Sequence, residues 1–226
     1  MTPPLNLKRV ALFSGLSAAL FLWIAPMIIM IGVSGLTTAL MGESQSRSFL
    51  EKYFPFFFLL IALGGGALFG RSLSRLARFT NDRRLMISGG FGFGIPFFAT
   101  VVSLSMAEAI VVAGTINMPL HILFAILFNG GMLFTSSLHG LAHGIAVKNS
   151  RAMIQFALVS GIGGVLGFGL VNLVMDTMGL RVGAPNAAQT ATMLTTMILG
   201  NIVGAFSGGA ALGYVFAKHV QKDSGR

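Results

Sequence analysis

Apolar positions in this chain neither recur on one helical face nor alternate as in a half-buried strand; they run on without a break. Stretches of roughly 20 such residues, the length that crosses a hydrocarbon core about 30 Å thick, are separated by short segments in which the charges collect. Runs of this length are apolar on every side, and the alternating ten-residue pattern of an outer-membrane barrel is missing. The pattern predicts an all-α fold, a polytopic integral membrane protein in which residues 1–226 form a single transmembrane domain, a bundle of six transmembrane helices. The helices are expected at about 10–33, 53–70, 85–106, 118–147, 152–175 and 190–217.

The polar segments complete this path. Lys8 and Arg9 precede the first run, but that run is longer than a secretory signal core and lacks a clear cleavage site, so it reads as a retained helix. Gly42 to Lys52 reads as a polar loop, with Glu43 and Glu51 balancing Arg47 and Lys52. Glu108 and Asn117 fall in the turn after helix 3, and Asp176, Arg181, Pro185 and Asn186 in the turn after helix 5. Pro26 in helix 1 and Pro96 in helix 3, the latter close to Gly90 and Gly94, are predicted kinks or hinges.

Charge gives the path a direction. The segment RSLSRLARFTNDRR carries Arg71, Arg75, Arg78, Arg83 and Arg84 against one acid, Asp82. Lys and Arg mark the cytoplasmic side because they resist translocation. With this loop inside, twelve bases fall on the inner side: Lys8, Arg9, the five arginines of the loop, Lys148, Arg151, Lys218, Lys222 and Arg226. Only Arg47, Lys52 and Arg181 fall outside, so both termini are expected in the cytoplasm. Arg71, Arg75 and Arg78 share one face if helix 2 continues beyond the membrane, making this loop a candidate docking surface or a contact for lipid headgroups.

Composition agrees with a membrane location: 54% of residues are hydrophobic and 9% charged, where a soluble domain carries about 25% charged residues. The net charge of +9 does not point to nucleic acid, since the bases sit at the ends of apolar runs rather than on one face. The chain has no cysteine, which excludes disulfides, thiolate metal sites and a cysteine nucleophile. The expected location is the cytoplasmic (inner) membrane of a bacterium or archaeon.

Polar residues inside the apolar runs are few. Asn129 and Asn201 fall near the midplane, with Thr100, Ser136 and Ser207 within about two turns of it on their own helices. Amides and hydroxyls are costly in hydrocarbon unless bonded, so these five should face the interior, as helix-to-helix bonds or as contacts for a polar, neutral solute. His139 and His143 share a helix face, and only His219 lies near enough along the membrane normal to join them; with no cysteine or carboxylate beside them, neither a metal nor another cofactor is expected. Glycine ridges at Gly66/Gly70, Gly90/Gly94, Gly140/Gly144, Gly163/Gly167, Gly204/Gly208 and Gly209/Gly213 favour close helix packing within the bundle, with a homo-oligomer or a partner subunit as the other use.

Three local likenesses bear on function. GVSG at Gly32 to Gly35 resembles the nucleophile motif of rhomboid intramembrane proteases, but it stands in helix 1, whereas the rhomboid serine lies in a later helix. The basic loop after helix 2 and the Gly-rich stretch RAMIQFALVSGIGGVLGFG resemble segments of the major facilitator superfamily, but Gly70 stands where that family's loop has an acid, and the chain is about half the usual length. Finally, FFLLIALGGGALFG (57–70) can be laid over FALVSGIGGVLGFG (156–169), which suggests an inverted repeat of three helices plus three. No acid, base and nucleophile converge, so an enzyme is not expected. The sequence points to a small permease or substrate-binding membrane subunit for a neutral or apolar molecule; the alternative is a non-catalytic subunit or assembly factor of a larger membrane complex.

Overall fold

A computed structural model describes residues 5–112, 120–177 and 187–224, with side chains over most of 5–106, 130–171 and 198–222. Among the described residues every regular element is helical. These elements are α1 (Leu7–Ala19), a π-helical turn (Leu20–Ile24), α2 (Ala25–Met41), α3 (Glu43–Ala77), α4 (Asp82–Val112), α5 (Leu120–Ala146), α6 (Ser150–Thr177) and α7 (Ala187–Ser224). Among the described residues five stretches are long and apolar enough to cross a membrane: Leu7–Met41, Lys52–Ala77, Asp82–Ser103, Ser150–Val171 and Ile198–Lys222. Large apolar side chains such as Ile31, Leu40, Ile154 and Leu166 point outward, the reverse of a water-facing surface and as a multi-pass membrane protein requires.

The first rod is continuous from α1 to α2 but changes pitch. Pro26 has no N–H to offer the Leu22 carbonyl, and the chain widens just before it, so that the Ala25 N–H bonds the carbonyl of Leu20, five residues back. The widened turn is thus the local answer to the proline. Gly42, at φ +80°, ends α2 in a backbone conformation open mainly to glycine. The expected polar loop at 42–52 is corrected here: only Gly42 leaves the helix, and α3 starts at Glu43. Buried Ser46 ties the two helices together through Thr37 Oγ1 at 2.8 Å and Thr38 Oγ1 at 3.1 Å.

Helix ends elsewhere extend past the predicted limits. α3 has 35 residues, about 52 Å at 1.5 Å per residue, and so outruns a hydrocarbon core by several turns. It also passes straight through Pro55, which the sequence reading did not single out. Glu108 lies within α4, and Lys218 and Lys222 lie within α7 rather than on a tail. The outer turns containing Asn117 and Asp176 to Asn186 fall mostly outside the described residues.

Each rod packs on its neighbours in sequence, and α1 closes the circle against α7. The pairs run antiparallel. Gly70 meets Leu85 and Gly66 meets Gly89 across α3 and α4; Gly144 meets Met153 and Gly140 meets Phe156 across α5 and α6; Gly209 meets Ala18 and Gly213 meets Ser14 across α7 and α1. At these glycines an added Cβ would collide with the facing helix, so the predicted ridges serve packing within the chain. The same pairing brings Lys8 and Arg9, the Arg71 to Arg84 segment, Lys148 and Arg151, and Lys218 and Lys222 to one end of the ring.

The turn between α3 and α4 is the most tightly bonded at that end. Arg78 adopts the left-handed conformation, φ 56°, and the Phe79 N–H bonds the Ser74 carbonyl at 2.9 Å, a helix stop of the Schellman kind. Ser74 is fully buried, and its hydroxyl lies between the Phe79 carbonyl and Asp82 Oδ1. Asn81 Oδ1 accepts the Arg84 N–H and starts α4. Ser74→Ala should therefore cost about 1 kcal/mol, because the partly buried acceptors lose their donor, read as a lower midpoint of thermal unfolding in detergent. Leu73 is buried and Leu76 packs against the core, which leaves the exposed Arg71 and Arg75 on the outer face of α3.

Candidate functional site

The interior of the ring is filled by aromatic rings and two imidazoles. Trp23 packs edge-on to Phe97 at 4.9 Å, Phe97 stacks on Phe93 at 5.1 Å, Phe93 lies 5.6 Å from His139, and His139 lies 4.6 Å from His143. Phe69 of α3 touches both imidazoles, at 5.1 and 5.8 Å. These rings come from the π turn, α3, α4 and α5, so the cluster forms only where four rods pack together. His143 bonds the His139 carbonyl, one turn back, through Nδ1 at 2.8 Å. The Nε2 atoms of His139 and His143 are buried and have no hydrogen-bond partner.

Beside this cluster lies a small cavity on the ring axis, about 20 Å³ in volume. Every rod contributes a wall: Ala18, Phe69, Phe93, His139, Ser160 and Gly208 stand for α1, α3, α4, α5, α6 and α7. A single water-sized guest needs roughly 10–15 Å³, so the space fits one. Ser136, His139 and Ser160 give it polar atoms, and the glycines of α7 let the backbone come close. Such a site can hold one small neutral molecule by hydrogen bonds.

The five predicted contacts are distributed differently. Ser136 lines the cavity. Thr100 is buried between α4 and α5, where its hydroxyl lies 2.9 Å from the Pro96 carbonyl and 3.3 Å from Thr135 Oγ1. Ser207 sits among the carbonyls of Val203, Gly204 and Gly163, the last on α6, and so joins two helices. Asn201 is buried in α7 with Oδ1 unbonded, and it does not line the cavity. The Asn129 side chain lies outside the described residues.

His139 and His143, which share a helix face, are read from the sequence as interfacial hydrogen-bonding residues, with metal ligation the less favoured use. Among the described residues no three His, Cys, Asp or Glu side chains come together, and His219 instead packs on Phe156 at 5.9 Å. Ser160, Trp23, Phe69 and Phe93 were not singled out at all. Their hydroxyl and rings are ordinary for membrane helices, and only the packing of the rods around one cavity gives them a shared role. Comparison of the chain with protein-family models, curated proteins and solved structures finds no match.

Proposed function

We propose that the chain is a small permease for a neutral solute, with the ring axis as its route. The observation that supports this reading is the axial cavity, polar on one side through Ser136, His139 and Ser160 and walled by all of the rods. In the proposal α5 is a sixth crossing, since its 27 residues span about 40 Å. Both termini and the basic end of the ring face the cytoplasm, in keeping with the charge asymmetry, and the membrane is a bacterial or archaeal inner membrane. The π turn before Pro26 and the Thr100 bond at Pro96 are the places where the rods bend as the route opens. The inverted repeat is part of the proposal: the matched Gly65 and Gly164 each face the preceding rod, at Phe21 and Ser136.

Flux into liposomes tests this reading. The reconstituted chain should raise permeability to water or to a small uncharged solute such as urea. His139→Phe, which fills the cavity with an apolar ring, should lower that gain at least about tenfold while the protein remains monodisperse. Permeability equal to that of protein-free liposomes would overturn the proposal.

A second reading, a non-catalytic subunit or assembly factor, is favoured by α2. None of its residues is buried, and it flanks an apolar groove of about 400 Å³ with Gly64 and Gly65 on its α3 side. Nothing stands within 4 Å of a Cβ built on Gly64, so a partner's apolar helix has close access to the backbone there. The exposed Arg71, Arg75, Arg78, Arg83 and Arg84 would then meet acidic groups of the partner or lipid headgroups. Gentle nanodisc purification separates the two readings: a stoichiometric partner protein supports the second, a solitary chain with flux the first.

A further inference from the structure

At the basic end of the ring, α6 begins where α7 ends, and between them lies a pocket of about 370 Å³. Asn149, Arg151 and Gln155 line it from the start of α6; Lys218, His219 and Lys222 line it from the last turns of α7. Arg151 and Gln155 are four residues apart, as are Lys218 and Lys222, so each helix turns one polar stripe toward the other. Among the described side chains no carboxylate lines the pocket, and its apolar walls are limited to Ala152 and Val215.

Topology alone does not require this arrangement. Arg71, Arg75 and Arg83 satisfy the same charge bias as exposed residues around the α3–α4 turn, whereas Arg151, Lys218 and Lys222, equally exposed, line one hollow together. Two lysines at i, i+4 repel one another on a helix, and a nearby guanidinium adds to the repulsion. A bound anion would reverse the sign of that interaction. The first turn of α6 adds the positive end of a 28-residue helix, and Asn149 Oδ1 already caps the Ala152 N–H at 3.1 Å, which holds that turn in place.

We infer that this pocket is a binding site for a compact phosphate-bearing anion. Arg151 supplies a planar fork for two phosphate oxygens, Lys218 and Lys222 supply point charges, and Gln155 supplies an amide donor. The phosphate can belong to a water-soluble ester or to an anionic phospholipid headgroup. The predominantly polar lining favours the soluble source, since an acyl chain finds only Ala152, Val215 and side-chain stems to lie against. By contrast, the groove flanked by Arg84 and Lys148 is walled by Ile87, Phe91 and Ile145 and suits hydrocarbon.

The test uses the full chain in nanodiscs of phosphatidylcholine, which leave both faces open, with inorganic pyrophosphate as probe and calorimetry as readout. Saturable binding is expected, weakened about tenfold or more in Arg151→Gln and in the Lys218→Gln/Lys222→Gln pair, as the loss of a charge-assisted hydrogen bond implies. Arg71→Gln/Arg75→Gln removes two charges from the same end and should leave binding unchanged. In a second arm, discs containing phosphatidylglycerol are analysed by native mass spectrometry. Retained lipid that is lost in the Lys218/Lys222 pair but not in the Arg71/Arg75 pair assigns the site to a headgroup. Equal loss in both pairs, or no saturable binding of either probe, would overturn the inference.

Discussion

Gly70→Leu should separate α3 from α4 and leave little folded protein. A Cβ at this position already overlaps the Leu85 carbonyl, and the neighbouring crossing, Gly66 on Gly89, is equally tight in both directions. The obstacle is backbone rather than a flexible side chain, so the helices themselves must move apart. Overpacking in a well-packed core costs about 1–3 kcal/mol. A leucine wedged against a carbonyl should exceed the upper end of that range, because the separation also strips Leu73 and Leu85, both fully buried, of their contacts. Lipid gives no hydrophobic drive to restore the pair. Thermal unfolding in mild detergent, followed through Trp23, the only tryptophan, measures the loss. Gly64→Ala serves as the control, since that position faces open space; it should shift stability by no more than about 0.5 kcal/mol.

Phe69→Ala should be nearly as damaging, for the opposite reason. Its ring is completely buried, packs on both imidazoles and lines the axial cavity beside His139. Truncating a buried phenylalanine to alanine costs about 3–5 kcal/mol, part of it for the void left behind. The void here would join an existing cavity next to unbonded nitrogens of His139 and His143, so water is expected to enter it. Phe69→Leu should recover most of the stability. It should also admit a larger neutral solute in the flux measurement, which separates a route along the axis from a merely structural core.

These expectations rest on features of unequal visibility in the sequence. The apolar runs announced the helices, because a membrane imposes length and composition on a crossing segment. The small-xxx-small pairs announced the contacts at Gly66/Gly70 and Gly140/Gly144, because only glycine lets backbones meet without a side chain between them. The segment 43–52 misled because polarity was read as a loop. A helix that projects beyond hydrocarbon gains from polar residues, and Glu43 at its first position favours the helix start.

The interior was less legible. Ser136 was picked out for its depth, and it does line the cavity, yet Thr100 and Ser207 at similar depth spend their hydroxyls on carbonyls of their own and adjacent helices. Depth follows from counting residues along a helix. The direction in which a side chain faces depends on rotation about the helix axis, and in helices apolar all round no periodic stripe records that rotation. Ser160 meets His139 where α5 packs on α6, and Ala18 and Gly208 join them around the cavity only because α1 returns to pack on α7, a contact between distant parts of the chain that no local pattern encodes. The basic pocket of Arg151, Lys218 and Lys222 was hidden likewise: its members were counted as inner-side charges, and their convergence needed the antiparallel pairing of α6 with α7.

Sidedness underlies the whole account, and single-cysteine labelling measures it directly. The chain has no cysteine of its own, so Ser48→Cys and Thr80→Cys, both at exposed positions, each introduce one reactive thiol. In sealed, right-side-out vesicles a membrane-impermeant maleimide should modify the Ser48 variant at once and reach the Thr80 variant only after the vesicles are opened. Modification of both from the same face would contradict the arrangement of crossings on which the route, the basic end and the depth of every residue discussed here depend.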